Sequence, residues 1–305
     1  MSMSTFRTAV VRTAAGPDSI EIIDVPLVDP GPGEARVAVA AAAINPVDLA
    51  VAGGFFHASG LINQPAHTGL GWDFAGTVAA TGPGVDLAVG TRVAGLVTGF
   101  DRDFGTYAEQ LVVRAADLAV VPAGLDLVAA ATVPLNGLAA AQLVDLLGVA
   151  PADGNRLLVI GSAGAVGGYV AALAQDRGWQ VTGLARAEDE EFVRALGADF
   201  TTDAEPGWDA VADTAVLGEG GLALVRDNGA YVGVRPNAAP NAERGITVDV
   251  VETVPDGPRL GDLLARTASG ALPARVHAVV PLDQVADAHR AVAKGGVRGR
   301  FVLTP

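Results

Sequence analysis

The sequence predicts an α/β protein in two parts, an all-β barrel-like module followed by a doubly wound parallel sheet. Three observations lead there. Up to about residue 122 the chain reads as short apolar runs (RTAVVR, SIEIIDVPL, GEARVAVAAAAIN, DFAGTVAATG, TRVAGLV, YAEQLVVR) separated by turns such as DPGPGE and TGPGVD. From Ala123 onward, strand candidates at 156–160, 180–184, 209–213 and 229–234 alternate with helix candidates at 166–177, 188–196 and 219–226. That order implies parallel strands joined by right-handed crossovers. Last, half of the 305 residues are hydrophobic and only 18% are charged, a balance that suits a folded chain with a sizeable core.

The elements fall in order along this plan. A helical stretch around 126–147 joins the β module to the first parallel strand, NRLLVIG. A helix at 258–269 follows the parallel sheet. The tail then reads strand, helix, strand: HAVVPL, DQVADAHRAVAKGG and RGRFVLTP. It is expected to return to the first module. The boundaries expected are therefore 1–122 with 273–305 for one domain and 123–272 for the other.

Charge and composition exclude several partners. Twenty Lys+Arg against 34 Asp+Glu leave a net charge of −14, which repels phosphate backbones and anionic lipid. Nucleic-acid and membrane partners are not expected, and no apolar run reaches the length of a spanning helix. The start, MSMSTFRTAVVRTAAG, lacks a signal-peptide core, so a cytoplasmic protein is expected. With no cysteine, disulfides and thiolate-bound metals are excluded. His57, His67, His277 and His289 are scattered without metal-ligand spacing, and no metal site is predicted. His289 falls in a predicted helix and is read as structural.

The stretch LLVIGSAGAVG carries the first chemistry. It resembles the glycine-rich turn that opens a helix after a strand and cradles a dinucleotide diphosphate. Gly161, Ser162, Ala163, Gly164, Ala165, Val166 and Gly167 are its candidate contacts. Ser162 replaces the usual first glycine. Gly164 allows close backbone approach to the diphosphate, and Gly167 allows close helix–sheet packing. A carboxylate ending the second strand would hold the ribose 2′-hydroxyl of NAD; here stand Ala185 and Arg186. Removing the acid and adding a guanidinium points to the 2′-phosphate of NADP(H). The alternative places Arg186 on a solvated loop beside Glu188 or Asp189. Thr214, Gly233 and Val234 are further cofactor candidates, and Arg235 is a weaker phosphate candidate.

With these stretches in view, the chain resembles the medium-chain dehydrogenase/reductase superfamily, in its zinc-free NADPH:quinone oxidoreductase (zeta-crystallin-like) branch. The resemblance rests on AAAINPVDLAVAGG, GWDFAGTVAATGPGV, GTYAEQLVV, VPLNGLAAAQLV, GSAGAVGGYVAALAQDRGWQV and AHRAVAKGGVRGRFVL, in the family's order. It implies a GroES-like β-barrel catalytic domain beside a Rossmann domain, and a homodimer. Zinc-dependent relatives carry a Cys where INPVD begins, a His-Glu pair where Trp72-Asp73 stands, and a four-cysteine lobe; this chain has none of these.

Without a Lewis acid, hydride transfer requires an acceptor that is already electrophilic, such as a quinone or an α,β-unsaturated carbonyl. The resemblance places Asn45 and Asp48 near the nicotinamide, Asn45 as a donor to the developing oxyanion and Asp48 as an orienting group. N-P-x-D is equally good turn and cap chemistry. Tyr107 is a candidate proton donor, with packing as its alternative role. The loop FFHASGLINQPAHTGLGW, holding His57 and His67, is expected to set substrate choice. Two other functions stay open: an enoyl reductase of secondary metabolism acting in trans, and an NADPH-binding sensor or structural protein with little turnover.

Overall fold

The computed structural model describes residues 4–305 and divides them into two compact units. One holds the described residues up to Leu135 together with Pro255–Pro305; the other is Asn136–Val254. These limits differ from the expected boundaries at 122/123 and 272/273. The segment 123–135 and the helix near 258–269 lie in the first unit instead.

In the first unit the strands are β1 (Thr5–Val11), β2 (Ile20–Pro26), β3 (Glu34–Ala43), β4 (Thr68–Gly69), β5 (Asp73–Thr81), β6 (Arg92–Leu96), β7 (Gln110–Arg114) and β8 (Leu118–Val120). Between β3 and β4 lie two short helices, α1 (Pro46–Ala52) and α2 (Phe55–Ala58). After β8 come α3 (Leu127–Ala130) and α4 (Pro134–Leu147), whose first residues close this part of the unit. Along β3, Ala35, Val37 and Val39 turn inward with the period of two that a half-buried strand requires. These residues join Val11, Phe74, Val93 and Leu303 in one core.

The second unit contains β9 (Arg156–Ile160), α5 (Ala165–Gln175), β10 (Gln180–Leu184), α6 (Glu190–Ala195), β11 (Asp199–Thr201), β12 (Trp208–Asp213), α7 (Glu219–Leu222), β13 (Val225–Gly233) and β14 (Thr247–Val250). Its strands are all parallel and ordered β11-β10-β9-β12-β13-β14. Counted within the unit this is 3-2-1-4-5-6, the doubly wound order. β9 buries Leu157 through Ile160 without alternation, as a strand covered on both faces does.

The chain then returns to the first unit through α8 (Gly257–Ala268), β15 (Val276–Pro281), α9 (Val285–Ala293) and β16 (Arg300–Thr304). β16 pairs antiparallel with β3 through Val302↔Ala43 and Leu303↔Ala42. The return predicted from the tail is therefore a strand pairing. α8 packs on β8, and a Cβ at Gly257 would stand 2.3 Å from the Ala116 carbonyl oxygen.

Several elements differ from those predicted. The helix expected at 219–226 is only the four residues of α7, because Val225 is already in β13 and joins the sheet core with Leu222. The helical stretch 126–147 breaks into α3 and α4 where Pro134 disfavours a helical Val133. The loop expected between the glycines and Trp72 contains α2 and the two-residue β4.

Candidate functional site

In the second unit the candidate cofactor residues gather at one edge of the parallel sheet. Ile160 is in register with Leu184 on one side and Asp213 on the other, and Asp213 with Gly233. The strand ends thus place Gly161, Ala185, Thr214 and Val234 along the carboxyl edge. The strand order reverses between β9 and β12, and open α/β sheets bind ligands at that point.

The glycine turn joins β9 to α5 in a tight bend. Gly161 holds φ 77°, a left-handed conformation that suits glycine, and its carbonyl accepts from Gly164 N–H at 2.8 Å. Gly164 caps α5, with Ala165 and Val166 in the first turn, where backbone N–H groups point outward along the helix axis. A Cβ on Gly167 would stand 2.2 Å from the Gly161 oxygen and 2.6 Å from Thr214 Oγ1, so helix and strand meet here at a distance only glycine permits. Ser162 is fully buried, and its Oγ would lie 2.5 Å from a Cβ on Gly183. Its side chain therefore fills space beneath the turn towards β10. Ala163 is buried with it.

At the end of β10, Ala185 N–H is taken by the Thr201 carbonyl at 3.1 Å. Arg186 is exposed, with Nη1 at 3.8 Å from Glu188 Oε1, a long contact between solvated groups. Thr214 Oγ1 donates to the Ile160 carbonyl at 2.6 Å, tying the end of β12 to that of β9. Gly233 is buried, Val234 half-buried, and Arg235 donates from Nε to Asn237 Oδ1 at 3.1 Å.

In the first unit Asn45, Asp48 and Tyr107 are brought together, but none of them has any exposed surface. Asn45 caps α1. Asp48 accepts from the Asn45 backbone N–H at 2.8 Å, the return arm of a capping box, and from Gly71 N–H at 3.1 Å. Asn45 Nδ2 donates to Asp73 Oδ2 at 2.9 Å, and Leu135 N–H at the start of α4 donates to Asp73 Oδ1 at 2.6 Å. Asp73 and Arg102 are two members of this network that the sequence reading did not single out. The Arg102 guanidinium donates to the Val97 and Gly71 carbonyls and lies 5.2 Å over the Trp72 ring.

Burial dominates the electrostatics. It pushes Asp48 up to about 6 against the hydrogen bond from Asn45, and Asp73 up to about 7 against the bond from the Asn45 amide. It pulls Arg102 down to about 10, with Asp48 opposing. The Tyr107 hydroxyl is raised well above 10, first by burial and then by the Asp48 charge beside it; it makes no hydrogen bond of good geometry. A phenol held that way is a poor proton donor.

His289 is fully buried, edge-on to the Tyr107 ring at 5.8 Å. His57 Nε2 lies 3.2 Å from Thr68 Oγ1, and His67 sits 5.4 Å from the Phe104 ring. Around them Phe56 stacks on Phe100 at 3.9 Å, and Trp72 meets Phe100 edge-on at 5.4 Å. Among the described residues no three His, Asp or Glu side chains group as metal ligands. At the position where the family resemblance expects zinc ligands, Trp72 offers no lone pair, and Asp73 belongs to no group of three His, Asp or Glu side chains among the described residues. Zinc does not fit there. Among the described residues no helix is long and apolar enough to cross a membrane.

Comparison with known proteins agrees with this architecture. Residues 31–123 match the alcohol dehydrogenase GroES-like domain, and residues 189–303 match a family described as zinc-binding dehydrogenase. The chain is 31% identical over 96% of its length to the pikromycin polyketide synthase component PikAII of Streptomyces venezuelae, but spans only 8% of that protein. It is 28% identical to the chloroplastic NADPH-dependent alkenal/one oxidoreductase of Arabidopsis thaliana, over 88% of this chain and 71% of that one. The quinone oxidoreductase of Coxiella burnetii superposes with a TM-score of 0.86 at 22% identity, over 99% of this chain and 100% of that one, a likeness of fold. The chain belongs to the medium-chain dehydrogenase/reductase superfamily, with a GroES-like domain and a Rossmann-type domain.

Proposed function

We propose that the chain is a zinc-independent, NADPH-dependent oxidoreductase that reduces a quinone or an α,β-unsaturated carbonyl. The observation that carries this is the pairing of a diphosphate cradle at 161–167 with Ala185-Arg186 at the end of the neighbouring strand. The residues present fit a phosphorylated dinucleotide: the turn takes the diphosphate, and Arg186 is exposed where a 2′-phosphate would need a cation. Arg235 is the second cation near this edge.

When bound, the reduced nicotinamide supplies a hydride, and a proton completes reduction of the acceptor. The protein's own work is to hold the partners in place. Asn45 and Asp48, buried and bonded within the chain, fix the entry to α1 and the backbone at Gly71 from behind the surface. Asp73 ties that corner to Leu135. Tyr107 packs beneath, and we assign it no proton transfer. Phe56 and Phe100, half-buried and stacked on each other beside the buried Trp72, supply an apolar corner suited to a conjugated acceptor. β14 ends the parallel sheet, and an open strand edge suits pairing with a second copy in a homodimer.

A second reading, an enoyl reductase acting on carrier-linked substrates, is favoured by the match to a polyketide synthase over nearly the whole chain. NADPH consumption with a panel of quinones, free enones and enoyl thioesters tests both. Turnover of quinones or free enones supports the first reading, and preference for thioesters supports the second. Tight NADPH binding without turnover across the panel indicates a sensor or structural protein instead.

A further inference from the structure

The turn after β12 carries a feature that diphosphate binding does not require. Val216, a β-branched residue, sits at φ 61°, in the left-handed region, where its side chain crowds the backbone. Such a conformation persists only where its surroundings enforce it, and it collects at ligand clamps. The enforcing group is Asp213. Its carboxylate is fully buried and accepts three hydrogen bonds: Ala215 N–H at 3.1 Å, Gly218 N–H at 2.8 Å and the Tyr231 hydroxyl at 2.8 Å. The first two span the strained residue and fix both ends of the turn. The third ties it to β13, and burial beside Asp213 raises the Tyr231 hydroxyl above its usual value.

This buried clamp holds an apolar pair outward. Val216 is 39% exposed and Leu217 53% exposed, at the same carboxyl edge as the cradle. With the diphosphate at the start of α5 and the phosphorylated ribose at the end of β10, the other half of a dinucleotide falls across the switch point, over β12 and β13. We propose that Asp213 and Tyr231 are positioning residues that hold the 214–218 turn in a strained shape, so that Val216 and Leu217 form a preformed apolar wall for the nicotinamide-ribose half of the cofactor. The inference rests on the cofactor reading above and adds four residues to it.

Val216→Gly separates this from a purely structural turn, because it relieves the strain and removes the wall together. Thermal unfolding is expected to shift upward. The dissociation constants for NADPH and NADH, measured by fluorescence titration without acceptor, are expected to rise together by about tenfold. Tyr231→Phe leaves Asp213 two donors and is expected to weaken both cofactors by roughly fivefold. Arg186→Ala serves as the contrast: it should weaken NADPH and spare NADH. An unchanged dissociation constant in Val216→Gly, with wild type binding normally, overturns the wall alone. A lowered unfolding temperature in that variant overturns the strain argument. Wild-type protein that binds neither dinucleotide overturns this proposal and the cofactor reading together.

Discussion

His289 has both ring nitrogens buried without a hydrogen-bond partner, and burial alone pulls it from 6.5 down to about 4. Its folded value is depressed, so the neutral ring contributes stability that is present above pH 6.5 and lost as pH falls through about 4. Asp48 and Asp73 have the opposite sign. Their folded values lie above 3.8, so their contribution is full below that pH and is lost as pH rises through about 6 and 7. His289→Leu isolates the first effect, because the carboxylates are common to both proteins. Replacing unpaired buried nitrogens with carbon should stabilise the fold by about 1 kcal/mol at neutral pH. The advantage should widen between pH 6.5 and 4, as read by thermal unfolding across that range. A constant difference between the two proteins would contradict the assignment. The reading of His289 as structural agrees with its place in the core, whereas no sequence signal marked Arg102, whose carbonyl partner Gly71 lies 31 residues away.

Among the elements, the contact between β9 and α5 sets the shape of the glycine turn to which the diphosphate role is assigned. Gly167→Ala would put a methyl group 2.2 Å from the Gly161 oxygen, between two backbones that cannot both stay in place. Helix α5 must move outward, at a cost of about 1–3 kcal/mol. NADPH affinity should fall at least tenfold, by about 1.4 kcal/mol or more. Gly168→Ala is the control one residue along: its Cβ would stand 3.3 Å from the Phe192 ring, a side chain that can yield, and 3.6 Å from the Ser162 oxygen, an ordinary contact. Equal loss in the two variants would show that general helix damage, not closure on the cradle, governs binding. The glycine turn that opens α5 was legible in the sequence because its residues are consecutive and each has a local task. The Asn45–Asp73 bond, across 28 residues, and the Asp213–Tyr231 bond, across 18, were not, since neither partner's pairing leaves a local pattern. The run LALV after Gly221 misled for a related reason: four apolar residues suit a helix or a buried strand equally, and the sheet core took Val225.

For the whole molecule, the order of a β module, a parallel sheet and a returning strand was legible because hydrophobic period and turn spacing repeat over long stretches. Its short strands were not: β4, β8, β11 and β14 have two to four residues each and too few side chains to show alternation. The boundaries shifted for the same reason that α8 packs on β8, a long-range contact that the chain order does not reveal. The proposed function requires a phosphorylated dinucleotide on the Rossmann-type domain and a conjugated acceptor, with no metal ion. Its most direct test is NADPH consumption with an enone and a quinone, before and after exhaustive dialysis against a chelator. Turnover is expected to be unchanged by the chelator and faster with NADPH than with NADH. Activity lost on dialysis and restored by zinc would contradict it.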